Sequence, residues 1–269
     1  MLKQRVITAL LLLAIAVLFL WMLPIQWFPL LVVTIMALMA WEWAGLSLLE
    51  SSRQRLIYAA LSLFVFALPL VDVLQVTQTG VWQLYTLLLT LAVLVAVRHF
   101  AQQGAWPAGW STLVLGFGVL WLTNFAWSVL SLVEALGVGW LLYAMSLVWV
   151  TDTGAYFSGK ALGKTKLALK VSPGKTWEGV AGGVSLAVLL SVVVAWQTHM
   201  PIWSMMALAF VVSFLSIYGD LFESAMKRQV GVKDSSNMLP GHGGWLDRFD
   251  ALLLAVPLFW LFWQGIMSL

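Results

Sequence analysis

The sequence predicts an all-α, polytopic membrane protein of about nine spans, with two polar cytoplasmic loops forming its site. Three observations carry this. The chain of 269 residues is 62% hydrophobic and only 9% charged, whereas a soluble domain carries roughly 25% charged residues to cover its surface. Apolar runs of about 20 residues, the length that crosses a bilayer core, recur along it. Its 17 Trp suit aromatic belts at headgroup level.

The spans are expected near residues 6–23, 27–47, 56–76, 80–98, 110–131, 135–153, 178–197, 201–220 and 249–267. The N-terminal stretch could pass for a signal peptide. Its apolar run is longer than a signal core and no small-x-small cleavage site follows, so it reads as a retained first span. Residues 1–269 form one integral membrane domain, with N-terminal spans to 131 and a catalytic part over about 135–267. No internal repeat or separate soluble domain is visible. The chain has no Cys, which excludes disulfides and thiol chemistry.

Lys and Arg set the orientation. With the N-terminus inside, Lys3 and Arg5, then Arg53 and Arg55, then Arg98 fall in cytoplasmic segments. So do Lys160, Lys164, Lys166, Lys170 and Lys175 in a first long loop, about 152–177, and Lys227, Arg228, Lys233 and Arg248 in a second, about 221–248. All 14 basic residues then share one side, and the opposite loops hold only Asp72, Glu134 and His199. Both long loops therefore face the cytoplasm of an inner membrane.

The second loop and its flanks, Tyr218 to Asp250, carry the densest chemistry. Asp220, Glu223, Ser224 and Lys227 are spaced to share one helix face. Asp247 and Asp250 are three apart at the start of the last span. Carboxylates near a membrane are costly and seldom idle. Two acid pairs on neighbouring helix ends suit a divalent cation, and Mg²⁺ takes a few carboxylates plus substrate phosphates. The interleaved Lys and Arg suit a polyphosphate. The run Pro240-Gly241-His242-Gly243-Gly244 permits close backbone approach. Together these describe metal-assisted phosphoryl or nucleotidyl transfer. The plainer alternative is that the acids pair with Lys227 or Arg248 and hold helix ends together.

The first loop carries Asp152 at the end of a span and a basic run from Lys160 to Lys175, suited to nucleotide phosphates or anionic headgroups. Ser172-Pro173 followed by Lys175-Thr176-Trp177-Glu178 reads as a helix start, with Ser172 or Thr176 as cap. Gly174-Lys175-Thr176 is not a phosphate-binding P-loop, because Leu169 stands where that motif needs Gly. Elsewhere, Glu42, between Trp41 and Trp43, reads as an interfacial residue rather than a pocket-lining acid. Asn124 reads as a helix-contact amide.

At Ser224, Lys227, Arg228, Lys233, Asp234, Leu239, Pro240, His242, Gly243, Gly244, Asp247, Arg248 and Asp250 the sequence resembles the phosphatidate cytidylyltransferase family, also called CDP-diacylglycerol synthase. The pattern is S-x-x-K-R-x4-K-D-x4-(aliphatic)-P-x-H-G-G-x-x-D-R-x-D, with every polar position filled. DTGAYFSG and SPGKTWEG upstream also resemble the family. One departure is Trp245, where the family carries a smaller aliphatic residue.

The resemblance implies that CTP and phosphatidate give CDP-diacylglycerol and pyrophosphate. It implies Mg²⁺, a second, monovalent cation such as K⁺, and a homodimer; no nucleic-acid partner is expected. It assigns Asp220, Asp247, Asp250, Lys227 and Arg248 to catalysis, with Asp220, Glu223, Asp247 and Asp250 as metal ligands. Substrate binding falls to Ser172, Lys175, Glu178, Ser224, Arg228, Lys233, Asp234, His242, Gly243 and Gly244, with Asp152 completing the pocket. Two rival readings fit less well. A CDP-alcohol phosphotransferase would need a D-x3-D pattern that is absent here, and a transporter would show repeated halves with charges near the midplane.

Overall fold

The computed structural model describes residues 17–18, 21–67, 73–239, 241 and 243–267. Ten helices and one short ribbon follow in order among the described residues: α1 (Phe28–Leu46), α2 (Ser52–Ala67), α3 (Val73–Thr77), α4 (Gly80–Gln103), α5 (Trp110–Leu136), α6 (Val138–Leu162), β1 (Lys166–Ala168), β2 (Ser172–Thr176), α7 (Trp177–Thr198), α8 (Ile202–Gln229), α9 (Leu246–Phe249) and α10 (Leu252–Met267). A 3-10 turn at Ile25–Trp27 leads into α1.

Six helical stretches among the described residues are long and apolar enough to cross a bilayer: Ile25–Leu46, Gly80–Gln103, Trp110–Leu136, Trp177–Thr198, Ile202–Gln229 and Leu246–Ile266. Helices α2 and α6 stand where the third and sixth spans are expected. The expected first span lies mostly outside the described residues, as do Asp72, Pro240 and His242. Large apolar side chains point outward along these helices, among them Leu61, Leu88, Leu113, Leu189 and Trp203. Such faces are stable against lipid tails and would be a liability in water.

The sequence places the breaks between helices. Thr79 caps α4 by accepting from the Trp82 N–H at 3.2 Å. Gly104, at φ +83°, ends it in the left-handed conformation that favours glycine. Helix α10 is apolar all round, and Leu252 to Val256, Leu258 and Phe259 are all buried. An all-apolar helix belongs at the centre of a bundle, and α10 packs on α8, α5, α6 and α4. Beside it, Trp43, Trp121 and Phe222 form an aromatic knot, with ring centroids 5.2–6.2 Å apart.

Helix α6 runs ten residues beyond Asp152 to Leu162, so Asp152 lies within a helix rather than at the mouth of a loop. Its continuation follows from close packing on α7. A Cβ on Gly154 would come 2.9 Å from the Gly183 Cα, and one on Gly179 would come 2.9 Å from the Ala155 carbonyl oxygen. These glycines let the two backbones touch, as small residues do between membrane helices. What remains of the first loop is the antiparallel ribbon, with Lys166 opposite Thr176 and Ala168 opposite Ser172. It departs from an all-helical chain, and its turn is anchored by the buried Val171. The second loop is likewise shorter than expected, because α8 continues to Gln229.

Polar contacts tie the ribbon, the 230–239 stretch and the 104–109 connection to helix ends. Trp106 donates its N–H to Gln229 Oε1 at 2.9 Å, Lys170 reaches the Gln102 carbonyl, and Ser235 and Ser236 reach Glu42. Near the C-terminal end of α10, Gln264 bonds Gln83 and the Thr77 carbonyl. Asn124 accepts from the Thr86 hydroxyl at 3.0 Å inside the bundle, a helix-contact amide as its sequence position suggests.

Candidate active site

Asp220, Glu223, Ser224 and Lys227 lie on one face of α8, as their spacing requires. Ser224 donates its hydroxyl to Asp220 Oδ1 at 3.1 Å. The Lys227 ammonium stands between two carboxylates, 2.5 Å from Glu223 Oε2 and 2.7 Å from Asp247 Oδ1. Glu223 is fully buried, and its Oε1 meets no hydrogen-bond donor. Such a group is costly unless something neutralises it.

Asp247 is more fully occupied. Its Oδ2 accepts from the Ser235 N–H (2.9 Å), the Ser235 hydroxyl (2.9 Å) and the Gly244 N–H (2.7 Å). Gly243, at φ +78°, makes the turn possible, and a Cβ there would come 2.6 Å from Asp247 Oδ2. Asp247 and Lys227 thus clasp Ser235 and Gly244 against the end of α8. Asp250 follows one turn later and accepts from the Ala251 N–H at 2.7 Å. Gly219 lets α8 close on this turn, since a Cβ there would come 2.7 Å from the Asp250 carbonyl oxygen.

The ribbon supplies the opposite wall. The Lys175 ammonium lies 2.5 Å from Asp220 Oδ2, and both side chains keep a quarter of their surface exposed. This ion pair joins the two polar segments. A pocket of about 410 Å³ opens beside it, lined by Asp152, Tyr156, Lys160, Ser172, Lys175 and Thr176 among others, with Ile217 from α8. The Lys160 ammonium sits 5.9 Å from the centre of the Tyr156 ring. Thr176, not Ser172, caps α7, accepting from the Gly179 N–H at 3.2 Å. That leaves Ser172 on the pocket wall.

Glu178 lies outside this lining. Its carboxylate accepts from the N–H groups of Lys164 (3.1 Å) and Thr165 (3.1 and 3.2 Å), fixing the chain where α6 gives way to the ribbon. Arg228 donates to the Val232 carbonyl at 3.1 Å, and Lys233, Asp234 and Arg248 are exposed around the loop. His242 lies outside the described residues. The structure therefore brings together Asp152, Ser172, Lys175 and Asp220 at the pocket, and Glu223, Lys227, Gly243, Gly244 and Asp247 in the clasp.

Among the described residues no three acidic or histidine side chains converge as a metal cage. Mg²⁺ needs only one or two carboxylates when phosphates complete its shell. Asp220, partly exposed and paired with Lys175 of the pocket wall, and Glu223 through its unpartnered Oε1 are donors of that type, so the residues fit such an ion.

Sequence reasoning missed Glu42, Ser235 and Ser236. Glu42, on α1, is 1% exposed and accepts from the Ser236 hydroxyl and the Trp245 and Leu246 N–H groups, with the Ser235 hydroxyl 3.2 Å away. The available signal was a carboxylate inside an apolar run, which favours a functional assignment over an interfacial one.

The chain matches the cytidylyltransferase family over residues 3–266. It belongs to that family. It is 44% identical over 268 residues to the phosphatidate cytidylyltransferase of Pseudomonas aeruginosa, covering 96% of both chains. It is 36% identical over 285 residues to that of Haemophilus influenzae, covering 98% of this chain and 99% of the relative. With the Brucella suis protein of the same name it shares 37% identity over 263 residues, 97% and 93% of the two chains. This family membership coincides with the motif that packs around Asp247 and Lys227.

Proposed function

We propose that the protein joins CTP to phosphatidate, releasing CDP-diacylglycerol and pyrophosphate, at the bundle end where the ribbon meets α8. The carrying observation is the Lys175–Asp220 ion pair beside a pocket lined by Lys160 and Ser172. It supplies ammonium groups and a carboxylate at one polar opening of an otherwise apolar bundle. The family membership supports the same reaction.

In this reading, a phosphatidate phosphate oxygen attacks the α-phosphorus of CTP. The new O–P bond forms as the bond from that phosphorus to the bridging oxygen breaks, and the electron pair leaves on pyrophosphate. The attacking oxygen is already anionic at neutral pH, so no strong base is required. The barrier lies in bringing two anions together, which fixed positive charge and alignment lower. Lys160 and Lys175 draw the phosphates into the pocket. Asp220, Glu223 and Asp250 would hold Mg²⁺, which would neutralise charge on the phosphates, while Asp247, its oxygens already taken, holds the loop beside them. Lys227 keeps the buried acids compensated.

This end of the bundle faces the cytoplasm of the inner membrane, where CTP is found. The support is that all the basic residues fall in segments assigned to one side and that several of these segments touch. The homodimer and the monovalent cation rest on the family resemblance alone.

The test is to incubate purified protein with radiolabelled CTP, phosphatidate and Mg²⁺. The expected result is label in the lipid phase matched one-to-one by pyrophosphate. No lipid-linked product across lipid compositions and salt concentrations would overturn the reading.

A further inference from the structure

We infer that Glu42 is a positioning residue for this reaction, holding the 235–246 segment and through it Asp247 in working geometry. The inference rests on the proposed activity and assigns an N-terminal helix a part in a site otherwise built from residues 152–250. Glu42 lies on α1, about 200 positions before its partners. Its Oε1 accepts from the Ser236 hydroxyl at 2.6 Å and the Trp245 N–H at 3.0 Å. Its Oε2 accepts from the Leu246 N–H at 2.7 Å and faces the Ser235 hydroxyl at 3.2 Å. One carboxylate thus grips both ends of the segment.

Both Glu42 oxygens act as acceptors. Three donors, the Ser236 hydroxyl and the Trp245 and Leu246 N–H groups, converge on two oxygens in a buried site, and only a carboxylate accepts at both. Charge-assisted bonds of this kind are the strong ones. Two links lead to the reaction site: the 244–247 turn, whose Trp245 and Leu246 N–H groups bond Glu42 while the Gly244 N–H bonds Asp247, and Ser235. The Ser235 hydroxyl lies 3.2 Å from Glu42 and 2.9 Å from Asp247, so shifting either carboxylate shifts the other. Gly244 shows how tight the arrangement is, since a Cβ there would come 2.6 Å from Glu42 Oε1. The second glycine of the Gly-Gly pair is thereby explained by the N-terminal half of the chain.

The test compares wild type with Glu42→Gln, which keeps the shape but turns one acceptor into a donor. A positioning role predicts a ~10- to 100-fold loss in kcat/KM for CTP, the scale seen when supporting partners of a metal or catalytic group are removed. It also predicts a higher Mg²⁺ concentration for half-maximal rate and faster hydrogen exchange at the amides of 235–246. Lower Vmax with unchanged KM for CTP, unchanged Mg²⁺ demand and unchanged exchange would reduce Glu42 to a fold element and overturn the inference. Wild-type kinetics would do so as well. If Glu42→Gln does not fold, Ser236→Ala removes one contact from the loop side and is read by the same three measurements. A wild type inactive with CTP and phosphatidate would sink the proposed activity, while the exchange comparison would still decide whether Glu42 clasps the segment.

Discussion

The two walls of the site are built on opposite plans. On the ribbon side, Lys175 and Asp220 meet at the edge of a pocket and stay partly exposed. On the clasp side, both oxygens of Asp247 are taken by Lys227, Ser235 and Gly244, and its side chain is 6% exposed. Both walls use carboxylates and lysines, so composition does not separate them; burial and hydrogen bonding do. An exposed pair gives little stability and can open to admit a ligand. A buried, fully bonded pair fixes geometry and is costly to disturb. The first wall is built to exchange partners and the second to keep them.

Five substitutions probe this difference. The largest effect on activity is expected from Lys175→Met, which removes the ammonium at the pocket. A loss of about 100-fold or more in kcat/KM for CTP is anticipated, on the scale of deleting one group that stabilises transition-state charge. Its thermal midpoint in detergent should stay near that of wild type. Near-normal turnover would show that the ribbon wall is not where phosphates bind.

Asp247→Asn should instead lower stability first, by about 3 kcal/mol, because it leaves Lys227 and the loop donors short of an acceptor. Asp220→Asn, taken as its control, should cost under about 1 kcal/mol. Equal destabilisation of the two in thermal unfolding would erase the distinction between the walls. Gly244→Ala comes next. It forces a methyl against Glu42 and Ser235, and strain of this kind costs about 1–3 kcal/mol, so a roughly tenfold fall in activity is expected with the helical circular dichroism signal intact. The smallest effect belongs to Lys160→Ala, an exposed cation at the pocket mouth. It should raise the KM for CTP a few-fold at low salt, and the difference should shrink as ionic strength rises. A salt-independent difference would point to direct contact instead.

Much of this arrangement was legible in the sequence because it is local. The i, i+3, i+4 and i+7 spacing of Asp220, Glu223, Ser224 and Lys227 requires a shared face whatever the rest of the chain does. The long apolar runs likewise commit α4, α5, α7 and α8 to cross a bilayer. Three features were not legible, and each depends on distant neighbours. The first loop is expected to begin near Asp152, yet α6 continues through Gly154 and Gly159 to Leu162 because α7 packs there. Ser172 to Thr176 forms a strand because Lys166 to Ala168 turns back to pair with it. Glu42 finds its partners in a loop some 200 positions away, and no local pattern signals that contact. The bland reading of Lys227 as an ion-pair partner holding helix ends is also met in the structure, alongside the site it helps to form.

The burial of α10 from Leu252 to Trp260 has a consequence for how the protein is made. Of the described helices it is the last to leave the ribosome, yet it fills the middle. Until it arrives, its neighbours surround a gap that lipid must occupy. The turn bearing Asp247 and Asp250 arrives together with it. Insertion of this helix therefore brings the acids to their places, so a chain that has not yet inserted it has no reaction site to switch on too early.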